Sequence, residues 1–295
     1  MRGAPLASVG KSSRAPIAFS LPAWILIIPI FILPLGLGLY LSVFDKSLGF
    51  PQPINFVGLA NFQSDVKNSN FYSAVKVTAQ FMAIAVFIQI PIGIFLAMVL
   101  HSASKFASMF RSSLLIPMLL TPVAVALMWR FMFSSELGII NWVLDKMTLA
   151  QPDWLGSVTA AFFAVAIVDS WQSIPFVVLI TLAGLAAMPV APQEAAMIDG
   201  ASTIQRIRYV TLPLLKPVLL VILLIRIIDS FKLFDIIFIL TRGGPGTATQ
   251  TLSMLDYNTA FTFLATSRAA AIGVVLALMS LPLYFLWKKV ISVSS

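Results

Sequence analysis

The chain of 295 residues has no cysteine and a single histidine, His101. No disulfide framework, Cys-based metal site or thiol nucleophile is possible, and one histidine cannot build a His-based metal site. Charge is also scarce. Asp, Glu, Lys and Arg make up 10% of the residues, against about 25% in soluble domains. Hydrophobic residues reach 59% and the mean hydropathy is +0.98. So little polar surface cannot cover a water-facing globule, which excludes a soluble enzyme, a disordered chain and a secreted disulfide scaffold. The phosphate-cradling pattern G-x-x-x-x-G-K-[ST] is missing too. Its nearest approach, Gly10-Lys11-Ser12, has Pro5 where the first glycine belongs. No G-x-S-x-G elbow and no acid/base pair outside the apolar runs is found, so the chain is not an enzyme by itself.

What is present is a set of long apolar runs, and they make this an all-α polytopic membrane protein. A spanning helix needs about 20 mostly apolar residues. Six runs qualify, at about 20–43, 73–100, 110–132, 158–187, 214–240 and 268–288. The first is too long for a signal-peptide core and is expected to stay as an uncleaved helix. Its prolines, Pro22, Pro29 and Pro34, are tolerable within a bilayer. Residues 1–18 form a short Ser/Ala-rich tail, and 19–290 the membrane domain, with a core at about 72–288.

Lys and Arg fall ten to five on the two sides of these runs. The richer side holds Arg2, Lys11, Arg14, Lys105, Arg111, Arg206, Arg208, Lys216, Lys288 and Lys289. That asymmetry places both termini in the cytoplasm. It also accounts for the net charge of +8 without nucleic acid. Residues 45–71, 133–156 and 241–267 are then outside. The apolar stretch near Trp142 and Trp154 should lie flat on the outer surface, with both rings at the membrane interface.

The longest cytoplasmic connection, 188–217, reads as structured. Pro192 suits a first helical turn and Glu194 favours the positive helix end. Gly200 stops or bends that helix. Ser202 and Gln205 make a capping box for a second short helix, Thr203 to Leu212, with Pro213 at its end. Physics alone leaves two readings: a loop lying on the membrane, or a rigid helix pair against which a peripheral partner pushes.

The residues decide further. Glu194-Ala195-Ala196, three residues, Gly200, then Leu212-Pro213 resembles the EAA signature of ABC importer permeases. The likeness runs through nearly the whole chain. Pro117, Pro122 and Trp129-Arg130, Asp169-Ser170-Trp171 with Pro175-Phe176, Asp229, Lys232, Phe234 and Asp235, and Leu240-Thr241-Arg242-Gly243-Gly244-Pro245-Gly246 look like the carbohydrate-type branch, similar to maltose and glycerol-phosphate permeases. It lacks the extra N-terminal spans and outer domain of the maltose permease that founded the branch.

The resemblance implies a type I importer permease fold of six spans in a bacterial inner membrane. It implies a second, homologous permease, two cytoplasmic ATPase subunits that carry ATP and Mg, and an extracytoplasmic binding protein. No cofactor is expected in this chain. It implies that Glu194, Ala195, Ala196, Asp199, Gly200, Leu212 and Pro213 couple to the ATPase. Substrate contacts are implied near Met118 and Thr121, on 169–173 and on 228–232.

Ionisable groups inside spans are costly and mark functional sites by default. Lys76 and Arg130 lie near span ends and can snorkel. Asp169, Arg226, Asp229, Lys232 and Asp235 lie deeper. Arg226, Asp229, Lys232 and Asp235 follow at i, i+3 spacing and can pair in a ladder. Two readings stay open, a self-neutralising ladder and a polar translocation path. Asp169, Gln172 and Ser173 share one helical face and are expected to face Lys232 and its neighbours, Phe231 included. Carboxylates, amides and hydroxyls suit a polyol, whose hydroxyls both donate and accept. The deep charges sum to one excess negative, which favours a neutral sugar over a glycerol-phosphate-type substrate. An ion-coupled transporter would use the same carboxylates, but no inverted repeat is visible and the loop at 194–213 would have no role. A membrane-embedded enzyme acting on lipid-linked sugars would need a carboxylate or histidine motif at an interface, and none is visible.

Overall fold

The computed structural model describes residues 15–47, 53–102 and 107–294. Tail residues 1–14, with Arg2, Lys11 and Arg14, lie outside the described residues, as does Lys105. The chain is almost wholly helical. Its one sheet among the described residues is an antiparallel pair, Phe44–Asp45 with Asn55–Phe56.

Among the described residues, four helices are long and apolar enough to cross a membrane: α1 (Ser20–Ser42), α2 (Ser69–Ser102), α5 (Val158–Ala186) and α7 (Thr203–Leu240). The third apolar run is not one straight helix. It splits into α3 (Ala107–Leu119) and α4 (Pro122–Met132), bent by 100°. Counted together they make a fifth candidate. The sixth run starts α8 (Thr266–Ser294), whose apolar part, Thr266–Pro282, is shorter than the rest. The coarse result is therefore a multi-pass helical protein with four or five full-length apolar spans.

The bend in the third run has a local cause. Pro122 has no N–H to give, and Thr121 leaves helical geometry (φ −67°, ψ 142°) to cap α4, its Oγ accepting from the Ala124 N–H at 3.4 Å. The fifth run is interrupted as well. Its helix ends at Phe231, and a new turn starts only at Asp235. The Leu233 carbonyl freed there accepts from Thr251 Oγ at 2.9 Å, as a buried backbone group must be satisfied.

Other prolines do not break their helices, and the turns preceding three of them show why. The wide turns Ile28–Ile32, Ala85–Gln89 and Ile207–Thr211 each close with an i→i+5 bond, from Leu33, Ile90 and Leu212. Pro34, Pro91 and Pro213 come immediately after. Proline removes a donor and crowds the carbonyl four residues back, and one extra residue in the turn relieves both. This corrects one expectation. Pro213 does not end the short helix after Ser202. The chain stays helical from Thr203 into the membrane as α7.

The main core joins α2, α4, α5 and the end of α7 through Phe81, Val125, Phe133, Val165, Val168 and Ile237. Trp154 packs against this core, its ring tilted against Phe133 at 5.1 Å, and its Nε1 donates to Asn141 Oδ1 at 2.8 Å. Of the two outer tryptophans only Trp142 is exposed, so Trp154 is an inward anchor and not an interface residue. At the start of α8, Arg268 Nη2 meets Asp65 Oδ1 at 2.7 Å and ties α8 to the short helix Ala60–Val66.

Candidate functional site

The site has two ends on one helix. At the start of α7, α6 (Ala191–Ile198) begins with Pro192 in its first turn and carries Glu194 there. It stops in a complete Schellman arrangement. The Gly200 N–H donates to Met197 O at 3.1 Å and the Ala201 N–H to Ala196 O at 2.9 Å. That closure needs a left-handed residue, and Gly200 sits at φ +74°. Asp199 is the C-cap. Two residues later Ser202 begins α7 with both halves of the capping box, Gln205 N to Ser202 Oγ at 3.4 Å and Ser202 N to Gln205 Oε1 at 2.8 Å.

Glu194, Ala195, Asp199, Gly200 and Pro213 are exposed, while Ala196 and Leu212 are half-buried. Met197, Ile198 and Ile204 add a large exposed apolar surface, at 53%, 86% and 78% exposure. Exposed apolar residues clustered on a rigid element mark an interaction site. Gln193, which the sequence reading passed over, fixes this pair of helices in place. Its Nε2 donates to Thr211 Oγ at 2.9 Å, bridging α6 to the wide turn of α7.

Deeper in the membrane lies a buried polar cluster. Gln89 of α2 is fully enclosed, and Asp169 and Arg226 are 6% and 4% exposed. Gln89 Nε2 donates to Asp169 Oδ2 at 2.6 Å and to Ser170 Oγ at 3.1 Å, and Gln89 Oε1 accepts from Arg226 Nη2 at 2.7 Å. Arg226 Nη2 also lies 3.5 Å from Asp169 Oδ2, and Ser173 Oγ donates to Asp169 Oδ1 at 3.4 Å. Three spanning helices are thereby tied by one charge pair and one amide. A lone amide inside the apolar run FIQIPIG was the available signal for Gln89.

The placement of the path residues differs from the expected one. Asp169 meets Arg226, nearly two turns before Lys232, and Ser173 meets Asp169. Gln172 reaches the break of the third run instead, where its Nε2 donates to Leu120 O at 3.0 Å. Arg226 Nη1 pairs with Asp229 Oδ2 at 3.7 Å, but the ladder stops there. Lys232 and Asp235 form no ion pair among the described residues, because the helix ends between them. Asp229, Lys232, Asp235, Met118 and Thr121 are exposed. Phe231 is buried against Phe71, Leu252 and Ile272. The polar groups left open thus cluster near two helix breaks, 120–121 and 232–234. Broken helices at membrane depth are tolerated where the freed backbone is buried in protein or lines a cavity.

Residues 89–290 match the family model of the binding-protein-dependent transport system inner membrane component. The chain belongs to that family: it is the membrane permease component of an ABC importer, and not an enzyme. Its relatives include the trehalose/maltose transport system permease MalF of Thermococcus litoralis, 37% identical over 81% of this chain and 80% of that one. The arabinooligosaccharides transport system permease AraP of Bacillus subtilis is 31% identical over 92% of this chain and 86% of its own. The sulfoquinovosyl glycerol transport system permease SmoG of Agrobacterium fabrum is 33% identical over 92% and 88%. The fold matches a chain of a bacterial alginate importer with a TM-score of 0.82, over 95% of this chain and 96% of that chain, at 22% identity.

Proposed function

We propose that this chain forms half of a translocation path for a neutral sugar or sugar alcohol across a bacterial inner membrane. It would work with a second permease, two ATPase subunits and an extracytoplasmic binding protein. The observation that carries this is the layout of α7. One end is latched to an exposed, rigidly capped helix at 191–198, and the other breaks beside exposed Asp229, Lys232 and Asp235. Closure of the ATPases would push α6, and α7 would carry that motion to the polar breaks, alternating access between the two faces. The coupling contact is Glu194, Ala195, Ala196, Asp199 and Gly200, with Leu212 and Pro213 at the base of α7. The path residues are Met118, Thr121, Gln172, Ser173, Asp229, Lys232 and Asp235, with Asp169 and Phe231 supporting them from inside.

The substrate class rests on two supports. Several relatives are named for sugars, trehalose, maltose and arabinooligosaccharides among them. The exposed groups Asp229, Lys232 and Asp235 also carry one excess negative charge, which disfavours a phosphate ester. We read six spans, counting the bent pair α3–α4 as the third and the start of α8 as the sixth, with both termini cytoplasmic. The domain bounds stay at 1–18 for the tail and 19–290 for the permease.

Reconstituting the full assembly and measuring ATPase stimulation by candidate sugars, each with its binding protein, tests the function. Stimulation by neutral sugars and none by sugar phosphates is expected. The reverse pattern overturns the substrate class. A cysteine at exposed Ser64, in a chain otherwise free of cysteine, should label only from outside, and labelling from the cytoplasm alone overturns the orientation.

A further inference from the structure

A cavity of about 520 Å³ lies behind the coupling helix, between α2, α5 and the start of α7. Its size falls in the range of small-molecule sites. Its inner wall is apolar, made by Phe95, Met98, Val99, Leu185 and Met188. Its other wall carries His101, Ser102, Thr203 and Arg206. Phe95 and Val99 stand one turn apart on α2 and are 61% and 48% exposed, so the apolar wall continues onto the outer flank of a spanning helix. The polar wall sits at the end of that span which the Lys and Arg asymmetry assigns to the cytoplasm, where phospholipid headgroups lie.

Arg206 is the telling residue. Its Nη2 makes one long hydrogen bond, to Thr203 Oγ at 3.4 Å. Its Nε is buried and has no partner among the described residues. A buried guanidinium N–H left open beside hydroxyl and imidazole groups is ready for an oxyanion. Among the described residues, no carboxylate lines the cavity to occupy it.

We propose that this cavity holds the phosphate of an anionic phospholipid on Arg206 and Thr203, with an acyl chain along Phe95 and Val99. Basic pockets between spanning helices on the cytoplasmic side are suited to anionic headgroups. A free phosphate could use the arginine but would leave the apolar wall facing water. A zwitterionic lipid could use the wall and offer a phosphate, but it would also bring its own ammonium beside Arg206. Because the cavity touches both α2 and the loop around Gln193, the bound lipid braces the coupling helix against the membrane-spanning helices. Lipid composition would thereby tune coupling without touching the sugar path.

The test is native mass spectrometry of the purified full-length chain titrated with phosphatidylglycerol, phosphatidylcholine or inorganic phosphate. The wild-type chain should retain one phosphatidylglycerol about tenfold more tightly than phosphatidylcholine. Arg206→Gln should abolish that preference, since a hydrogen bond to a charged group is being lost. Val99→Trp, which fills the cavity and keeps the charge, should displace the lipid as well. Arg208→Gln, two residues on and not lining the cavity, should retain it. Equal loss in Arg208→Gln, or no loss in either cavity variant, overturns the site. Binding of inorganic phosphate with no selective lipid retention overturns the lipid as occupant. None of these readings depends on which sugar is carried.

Discussion

Gln193 and Thr211 are 18 residues apart, and the Gln193 amide donates to the Thr211 hydroxyl at 2.9 Å. That bond makes the coupling helix and the base of α7 one body. Thr211 is buried, so removing its partner leaves a polar group unsatisfied at about 1 kcal/mol or more. Gln193→Leu should still recruit the ATPase, because the exposed face of α6 is unchanged. Sugar transported per ATP hydrolysed should fall about fivefold. Unaltered coupling in the reconstituted assembly would show that the latch is dispensable.

Gly200 has open space around its missing Cβ, with nothing within 4 Å, yet its φ is +74°. The constraint is therefore the backbone and not crowding. A β-branched residue is strongly disfavoured there, while Asn is tolerated. Gly200→Val should weaken ATPase binding and transport severalfold, and Gly200→Asn should stay close to wild type. Pull-down of the ATPase with each variant reads this directly. Equal behaviour of the two would remove the capping argument.

Asp169 and Arg226 illustrate a buried pair whose halves depend on each other. Removing one partner leaves an uncompensated buried charge, a loss of about 3–5 kcal/mol. Asp169→Ala and Arg226→Leu should each sharply lower the amount of folded subunit in the membrane. The double variant should recover part of it. A full-strength subunit with a selective transport defect would instead place Asp169 on the path itself.

Gln172 donates to the orphaned Leu120 carbonyl at the bend of the third run. Gln172→Leu should leave ATPase recruitment intact, since the coupling loop is far away. Transport at low substrate should weaken by about 2- to 12-fold, the range of one ordinary hydrogen bond of about 0.5–1.5 kcal/mol. Normal assembly with unchanged transport and sugar preference would clear Gln172 of any role there.

Asp256, in the short helix Leu252–Tyr257, has its carboxyl pushed up to about 6, first by burial and then by the nearby Asp65 charge. A carboxyl with a raised folded-state pKa holds its proton better folded than unfolded. Stability should therefore fall as pH rises from about 4 to about 6, and level off above. Asp256→Asn should flatten most of that fall and leave only the part due to Asp65, whose pKa burial also raises. Thermal unfolding of both chains at pH 4.5 and 7 measures it. An unchanged pH slope in the variant would rule out Asp256 as its source.

Much of the helix pair at 191–206 could be read from residues alone. Pro192, Gly200 and the Ser202–Gln205 pair are short-range signals, and each did locally what its chemistry dictates. The apolar runs were legible for the same reason, since hydropathy needs no tertiary context. The breaks were not. Thr121-Pro122 is a helix-start signature, but it was submerged in an unbroken apolar stretch. The interruption after Phe231 has no Pro or Gly and is satisfied by Thr251, a residue distant in sequence. Gln89 gave a polar signal in an apolar run, yet only packing shows that it joins Asp169 to Arg226. The proline rules learned in water also misled at Pro213, because in a bilayer the chain widens a turn before it gives up its internal hydrogen bonds.

That widened turn at Ile207–Thr211 has a mechanical consequence. Expelling the extra residue would rewind α7 to a regular helix, turning everything beyond it by about 100° and shifting it about 1.5 Å. Pro213 forbids this, for a regular turn would again demand the missing donor and restore the clash. The base of α7 therefore cannot take up a push by winding like a spring. It behaves as a fixed crank, and any displacement delivered at Glu194 must reappear as movement of the whole helix at Asp229.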